Sequence, residues 1–169
     1  MNSTLHAWNT ANPGTALAAM IACCGARRWA TAMIAMRPMR NIAELSAAAD
    51  EVWSRMEEED WLEAFACHPR IGEERSAHAS TQSSAWSSQE QASANAATAG
   101  VRAELAAANA QYEKRIGFSF IVCATGKSAE EMLEILKHRM VADRASELLE
   151  AAEQQRQITQ LRLGKWLLG

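Results

Sequence analysis

Apolar side chains recur at three- and four-residue intervals through most of this chain, the spacing of helices packed along one face. Leu17, Met20, Ile21 and Cys24 follow Pro13 and Gly14 and stop at Gly25. That predicts a helix opened by proline and closed by glycine. Trp29, Met33 and Met36 mark a second, short helix that ends before Pro38. Leu45, Ala49, Val52 and Met56 form the stripe of a third, with Glu44, Glu51, Arg55 and Glu58 on its other face. Asp60 is positioned to cap a short helix carrying Trp61, Leu62 and Phe65, which stops around His68 because Pro69 follows.

A long helix is predicted from near Ser87 to about Arg115, with Val101, Leu105, Ala108 and Tyr112 facing inward and Gly117 as its stop. Residues 118–124 are a short apolar run with no evident partner strand, expected as a buried extended segment or a helix start. Ser128 and Glu131 have capping-box spacing for a helix through Met132, Ile135, Leu136 and Met140. A last helix carries Leu148, Ala152, Ile158, Leu161 and Leu163 and ends near Gly169. The expected fold is all-α: a single-domain bundle of about seven or eight helices over residues 1–169.

Composition narrows the class. Hydrophobic residues are 49% and charged residues 22% of 169 positions, a globular balance, and 8 Gly with 3 Pro suit helices. A net charge of −3 gives no general field for nucleic acid or an anionic membrane. No apolar run approaches the roughly 18 residues of a membrane-spanning helix. Residues 16–24 imitate the apolar part of a signal peptide, but no basic segment precedes them and Arg27 and Arg28 lie on the wrong side. An unprocessed cytoplasmic chain is expected. Cys23, Cys24, Cys67 and Cys123 form no C-x-x-C pair, so free thiols are expected and a thiolate metal site is not. No glycine-rich phosphate loop is present.

Three polar positions carry possible chemistry. His68 lies in Cys67-His68-Pro69-Arg70-Ile71-Gly72-Glu73, at a helix end where Pro69 restrains the chain and Gly72 permits a sharp turn. Such an imidazole either bonds a terminal carbonyl or serves as a held acid–base group; the helix end favours its charge, while Arg70 and burial oppose it. Ser87-Ser88-Gln89-Glu90-Gln91 reads as a capping box at a helix start, a place that also binds anionic groups. Arg162, between Leu161 and Leu163, is either a snorkelling surface cation or a guanidinium turned inward for a carboxylate. Cys67, His68 and His78 have no short metal-ligand spacing.

In order and spacing these segments resemble the 2-oxo-4-hydroxy-4-carboxy-5-ureidoimidazoline (OHCU) decarboxylases of urate breakdown, over nearly the whole chain. The marks are Cys23-Cys24-Gly25 with Trp29, Arg37-Pro38, the His68 to Gly72 run, Ser87 to Gln91, Tyr112-Glu113, the stretch from Gly117 to Ala124, and Ile158 to Leu163. The resemblance implies an all-α homodimer and a cofactor-free, metal-free decarboxylation giving (S)-allantoin and carbon dioxide. It implies His68 as the catalytic histidine, with Glu90 and Arg162 as catalytic partners. Ser87 and Gln91 would hold the substrate, and Pro69 with Phe120, Ile121, Val122, Cys123 and Ala124 would line the pocket.

Animal members end in a peroxisomal tripeptide whereas this chain ends Leu167-Leu168-Gly169, so a bacterial, cytoplasmic member is expected. Three other readings remain open: another small ureido or imidazoline compound as substrate on the same scaffold, a non-catalytic helical dimer serving as a binding module in purine breakdown, and a thiol or metal enzyme built on Cys67 and His68.

Overall fold

The computed structural model describes residues 2–71 and 80–169, except the side chains of Ser93 and Asn95. Gly72, Glu73 and His78 therefore lie outside the described residues. Among the described residues every regular element is helical, and there are ten helices rather than seven or eight. None of them is long and apolar enough to cross a membrane. The chain forms two compact units: Met1–Ala64 with Arg156–Gly169, and Phe65–Gln155.

The first unit holds α1 (Ser3–Thr10), α2 (Pro13–Cys24), α3 (Arg27–Ala35), α4 (Ile42–Trp53), most of α5 (Glu58–Ala66) and the second half of α10 (Arg144–Leu168). Its helix ends follow local chemistry. Asn12 and Asn41 accept hydrogen bonds from the first-turn amides of α2 and α4. Gly25, at φ 94°, closes α2 in the left-handed conformation that only glycine adopts without strain. Asp60 does not cap α5 from outside. It sits within the first turn, and its Oδ2 accepts from the Glu57 N–H at 3.0 Å and from Arg28 at 3.0 Å.

The core of this unit gathers Leu5, Trp8, Met20, Trp29, Met33 and Leu45. The indole N–H groups of Trp8 and Trp29 donate to the Ala16 and Ala49 carbonyls at 3.0 and 3.1 Å, so both rings are buried with their polar atoms satisfied. On α10, Gln160 exchanges bonds with Ser46 and reaches Asp50 at 2.8 Å, while Arg156 pairs with Asp50 at 3.1 Å.

The second unit holds α6 (Thr81–Glu90), α7 (Ala92–Asn95), α8 (Ala99–Ile116), α9 (Ala129–Arg139) and the first half of α10. The single long helix expected from Ser87 is instead the end of α6, the short α7 and then α8. Thr98 caps α8 by accepting from the Val101 N–H, and Gly117, at φ 93°, closes it. Ser128 and Glu131 form the reciprocal capping box of α9 as expected. Residues 118–124 are neither helix nor strand, and all but Ser119 are buried. Phe118 packs on Phe65 with ring centroids 5.4 Å apart, and Phe120 meets Tyr112 edge-on at 5.3 Å.

Candidate functional site

His68 follows α5 by two residues, in the pre-proline position that a helix does not readily continue through. Its backbone N–H donates to the Phe65 carbonyl at 3.1 Å, and Phe65 is anchored in the core. Its imidazole does not simply cap its own helix. Nε2 lies 2.7 Å from Oε1 of Gln155 on α10, a side chain 0% exposed. Two residues on, Arg70 makes a two-pronged pair with Glu113 of α8, Nε to Oε1 and Nη2 to Oε2, each 2.8 Å. That guanidinium holds the Glu113 carboxyl below its usual range. The run from Phe65 to Arg70 is thus fastened at its core ring, its imidazole and its guanidinium.

Ser87 is not at a helix start. Ser80 caps α6 by accepting from the Ser83 N–H, so Ser87 sits in the last turn and Gln91 is the C-terminal cap. The capping-box expectation for Ser87 and Glu90 fails, and with it the amide-rich anion site: this end of the helix offers carbonyls and a partial negative charge. The structure nonetheless brings the end of this turn to the segment that carries His68. Gln91 is buried, and its Nε2 lies 3.5 Å from the Pro69 carbonyl, a long contact at the limit of a hydrogen bond. Ser87 is buried and Glu90 half-buried.

Residues 120–124 are pinned from three directions. The Ile121 carbonyl accepts from Arg139 Nη1 at 2.6 Å, the Cys123 N–H donates to Gln154 Oε1 at 2.9 Å, and the Cys123 carbonyl accepts from Lys127 Nζ at 2.8 Å. Behind them lies a buried cluster in which Glu147 accepts from Arg139 Nε at 2.8 Å, from Arg139 Nη2 and from the Tyr112 hydroxyl. Burial, then the bond to Glu147, push the Tyr112 phenol up. Arg139 also lies over the Phe120 ring, 4.7 Å from its centroid.

His68, Pro69, Ser87, Glu90, Gln91 and residues 120–124 all belong to the Phe65–Gln155 unit, whereas Arg162 belongs to the other. Arg162 is no snorkelling surface residue: it is 1% exposed, while Leu161, expected inside, is 40% exposed. The guanidinium acts electrostatically on Cys23, whose thiol burial pushes up to about 12 against the opposing pull of that cation. None of the four cysteines is in a disulfide; Cys23, Cys24 and Cys123 are buried, and Cys67 is half-buried. Among the described residues no three His, Cys, Asp or Glu side chains gather as a metal site.

Residue-type reasoning missed Gln154, Gln155, Arg139 and Glu147. The signal for Gln155 was present. Leu148, Ala151, Ala152, Ile158 and Thr159 make the buried stripe of α10, and Gln155 and Arg162 occupy positions of that stripe where apolar side chains belong.

These features define an all-helical protein in which one restrained imidazole is held by a buried amide, beside a polar helix end and a pinned apolar segment. That is a setting for acid–base work on a small polar molecule. Comparison makes the class particular: the OHCU decarboxylase family model matches residues 9–164, and the chain belongs to that family. It is 38% identical over 144 residues to the uric acid degradation bifunctional protein TTL of Arabidopsis thaliana, covering 85% of this chain but only 44% of that protein. It is 31% identical over 134 residues to the 2-oxo-4-hydroxy-4-carboxy-5-ureidoimidazoline decarboxylase of Amia calva, covering 79% of this chain and 77% of that one.

A crystal structure of OHCU decarboxylase in the presence of (S)-allantoin matches with a TM-score of 0.76 at 35% identity, covering 88% of this chain and 96% of the other. An (S)-allantoin synthase structure shares the fold, with a TM-score of 0.71 at 16% identity over 96% of this chain and 53% of that one.

Proposed function

We propose that this chain is a carboxy-lyase of urate breakdown that converts 2-oxo-4-hydroxy-4-carboxy-5-ureidoimidazoline to (S)-allantoin and carbon dioxide. The family match runs through both units, which supports residues 1–169 acting as one domain. We take it to work as a homodimer in the cytoplasm, on a small-molecule substrate and without nucleic acid.

The substrate explains why no cofactor is needed. Its carboxylate leaves from a carbon next to a ring C=N bond. When the bond to carbon dioxide breaks, its electron pair moves into that imine, the imine nitrogen takes up a proton and an enol forms. The enol hydroxyl then gives up its proton to become the carbonyl while the neighbouring, former imine carbon is protonated from one face. The substrate is its own electron sink, the part a cofactor otherwise plays. The protein has to bind an anion, stabilise charge as it shifts and deliver one proton stereoselectively.

In this reading His68 handles the proton. Glu90 bonds the ring or ureido N–H groups and fixes the tautomer, and Arg162 pairs with a substrate oxygen as negative charge develops. Ser87 and Gln91 hold the substrate, and Pro69 with Phe120, Ile121, Val122, Cys123 and Ala124 shapes the pocket. The observation that carries the reading is the restrained imidazole of His68, seated on Gln155 beside the Pro69–Gln91 contact.

The test generates the substrate in place from urate with a urate oxidase and the hydrolase that follows it, then records circular dichroism over time. Rapid growth of the (S)-allantoin signal is expected with the wild type, and its loss with a folded His68→Asn variant. Drift to racemic product at the uncatalysed rate with the wild type would overturn the function, and full turnover by His68→Asn would overturn the assignment of His68.

A further inference from the structure

The contact between His68 and Gln155 goes further than holding a ring in place. We infer that Gln155 is a positioning residue that fixes neutral His68 as the tautomer protonated on Nε2, with the lone pair on Nδ1. This rests on the reading of His68 as the proton-handling group.

The argument is one of hydrogen-bond inventory. An amide oxygen only accepts, so an imidazole nitrogen 2.7 Å from Gln155 Oε1 has to be the one that carries hydrogen. A neutral imidazole has a single N–H, which leaves the lone pair on the other nitrogen. Gln155 is 0% exposed, so its amide cannot exchange this bond for one to water without opening the core. Its neighbour Gln154 spends its own oxygen on the Cys123 N–H and its amide N–H on Glu150. One turn of α10 therefore fixes both the imidazole and the pocket segment, giving the two a common reference.

The acceptor is also uncharged. A carboxylate at this position would hold the imidazolium by direct charge attraction and resist returning the proton. An amide orients the ring without that trap, which suits a group that takes up and gives back one proton per turnover.

The experiment uses the whole protein with ¹⁵N-labelled histidine. Ring ¹⁵N–¹H correlation at a pH where His68 is neutral is expected to show a protonated Nε2 and an unprotonated Nδ1, assigned by their loss in His68→Asn. Gln155→Leu keeps the volume and removes the acceptor. It is expected to keep its melting temperature within a few degrees, lose the tautomer preference, and drop kcat by about 10- to 100-fold with KM changed less than about threefold, the signature of misplaced reacting groups. Gln155→Glu restores an acceptor at the same place and is expected to restore the Nε2 proton.

A proton on Nδ1 in the wild type would overturn the inference, as would a folded Gln155→Leu variant with kcat within twofold of wild type. A wild type without turnover but with the Nε2 proton in place would overturn the function while leaving the tautomer assignment standing, so the two failures are distinguishable.

Discussion

Replacing Glu147 with glutamine isolates the charge of the buried cluster behind residues 120–124. All three bonds that Glu147 accepts, two from Arg139 and one from Tyr112, end on the same oxygen. An amide of the same shape keeps that oxygen and loses only the negative charge. The Arg139 guanidinium, 7% exposed, is then left without its counter-charge. Two unit charges about 4 Å apart attract by about 4 kcal/mol at an effective dielectric constant near 20. Breaking one side of a buried pair typically costs about 3–5 kcal/mol, so the two routes to the figure agree.

Against a total stability of about 5–15 kcal/mol this is a large share. At about 2–4 °C per kcal/mol for a chain of this length, Glu147→Gln should lower Tm by roughly 8–16 °C. Urea unfolding at pH 7 measures the free energy, and a thermal melt gives the shift. The double variant Arg139→Met/Glu147→Leu removes both charges and is expected to lose much less than Glu147→Gln alone. If Glu147→Gln costs under about 1 kcal/mol, or if the double variant is the worse of the two, Arg139 is not held by the charge of Glu147 and the reasoning fails.

Two further predictions concern other parts of the chain. Burial first, then Cys24, raise the Cys23 thiol from 9.0 to about 12, with Arg162 opposing. A raised value means the neutral thiol stabilises the fold fully below pH 9, and that contribution is lost as pH rises toward 12. About 1.4 kcal/mol should be gone by pH 10, one unit above the ordinary value. Urea midpoints from pH 8 to 10 should fall for the wild type and stay flatter for Cys23→Ala; parallel curves would refute the shift. Gly117→Ala places a Cβ with nothing within 4 Å but at φ +93°, so only backbone strain is added. A cost of about 1 kcal/mol is expected, read as a lower urea midpoint, and a stabilised variant would show that the helix end is not held in that conformation.

The helices with regular apolar stripes were legible in the sequence. α2, α3, α4, α9 and α10 stand where spacing and caps put them, because each buries one face and carries its own start or stop signal, except that α4 ends at Trp53, leaving Met56 in the connection and Glu58 at the start of α5. α1 was missed for a physical reason: Leu5 and Trp8 are its only buried positions, too few to make a period. The stretch before α8 was misread because alanine and serine give no contrast between faces. Ser87-x-x-Glu90 matched a capping box while Ser80 made the actual cap. The restraint of the chain at His68 was legible because Pro69 follows it. The partners of His68 and of residues 120–124 were not, because Gln154, Gln155, Arg139 and Glu147 come from other helices.

The stripe of α10 also separates two kinds of buried polar residue. Arg139 and Glu147 are satisfied by each other, by Tyr112 and by the Ile121 carbonyl. Such a pair can be exchanged for apolar side chains of similar volume with little loss of stability. Gln155 and Arg162 are different in kind. They stand seven residues apart on one face of one helix, at positions where leucine would bury more apolar area and lose no hydration. A helix that gives up core stability twice on the same face, once to hold an imidazole and once to bury a guanidinium, departs from its own local pattern at positions its packing alone does not call for. That departure separates His68 from an ordinary helix-end histidine and Arg162 from an ordinary surface arginine.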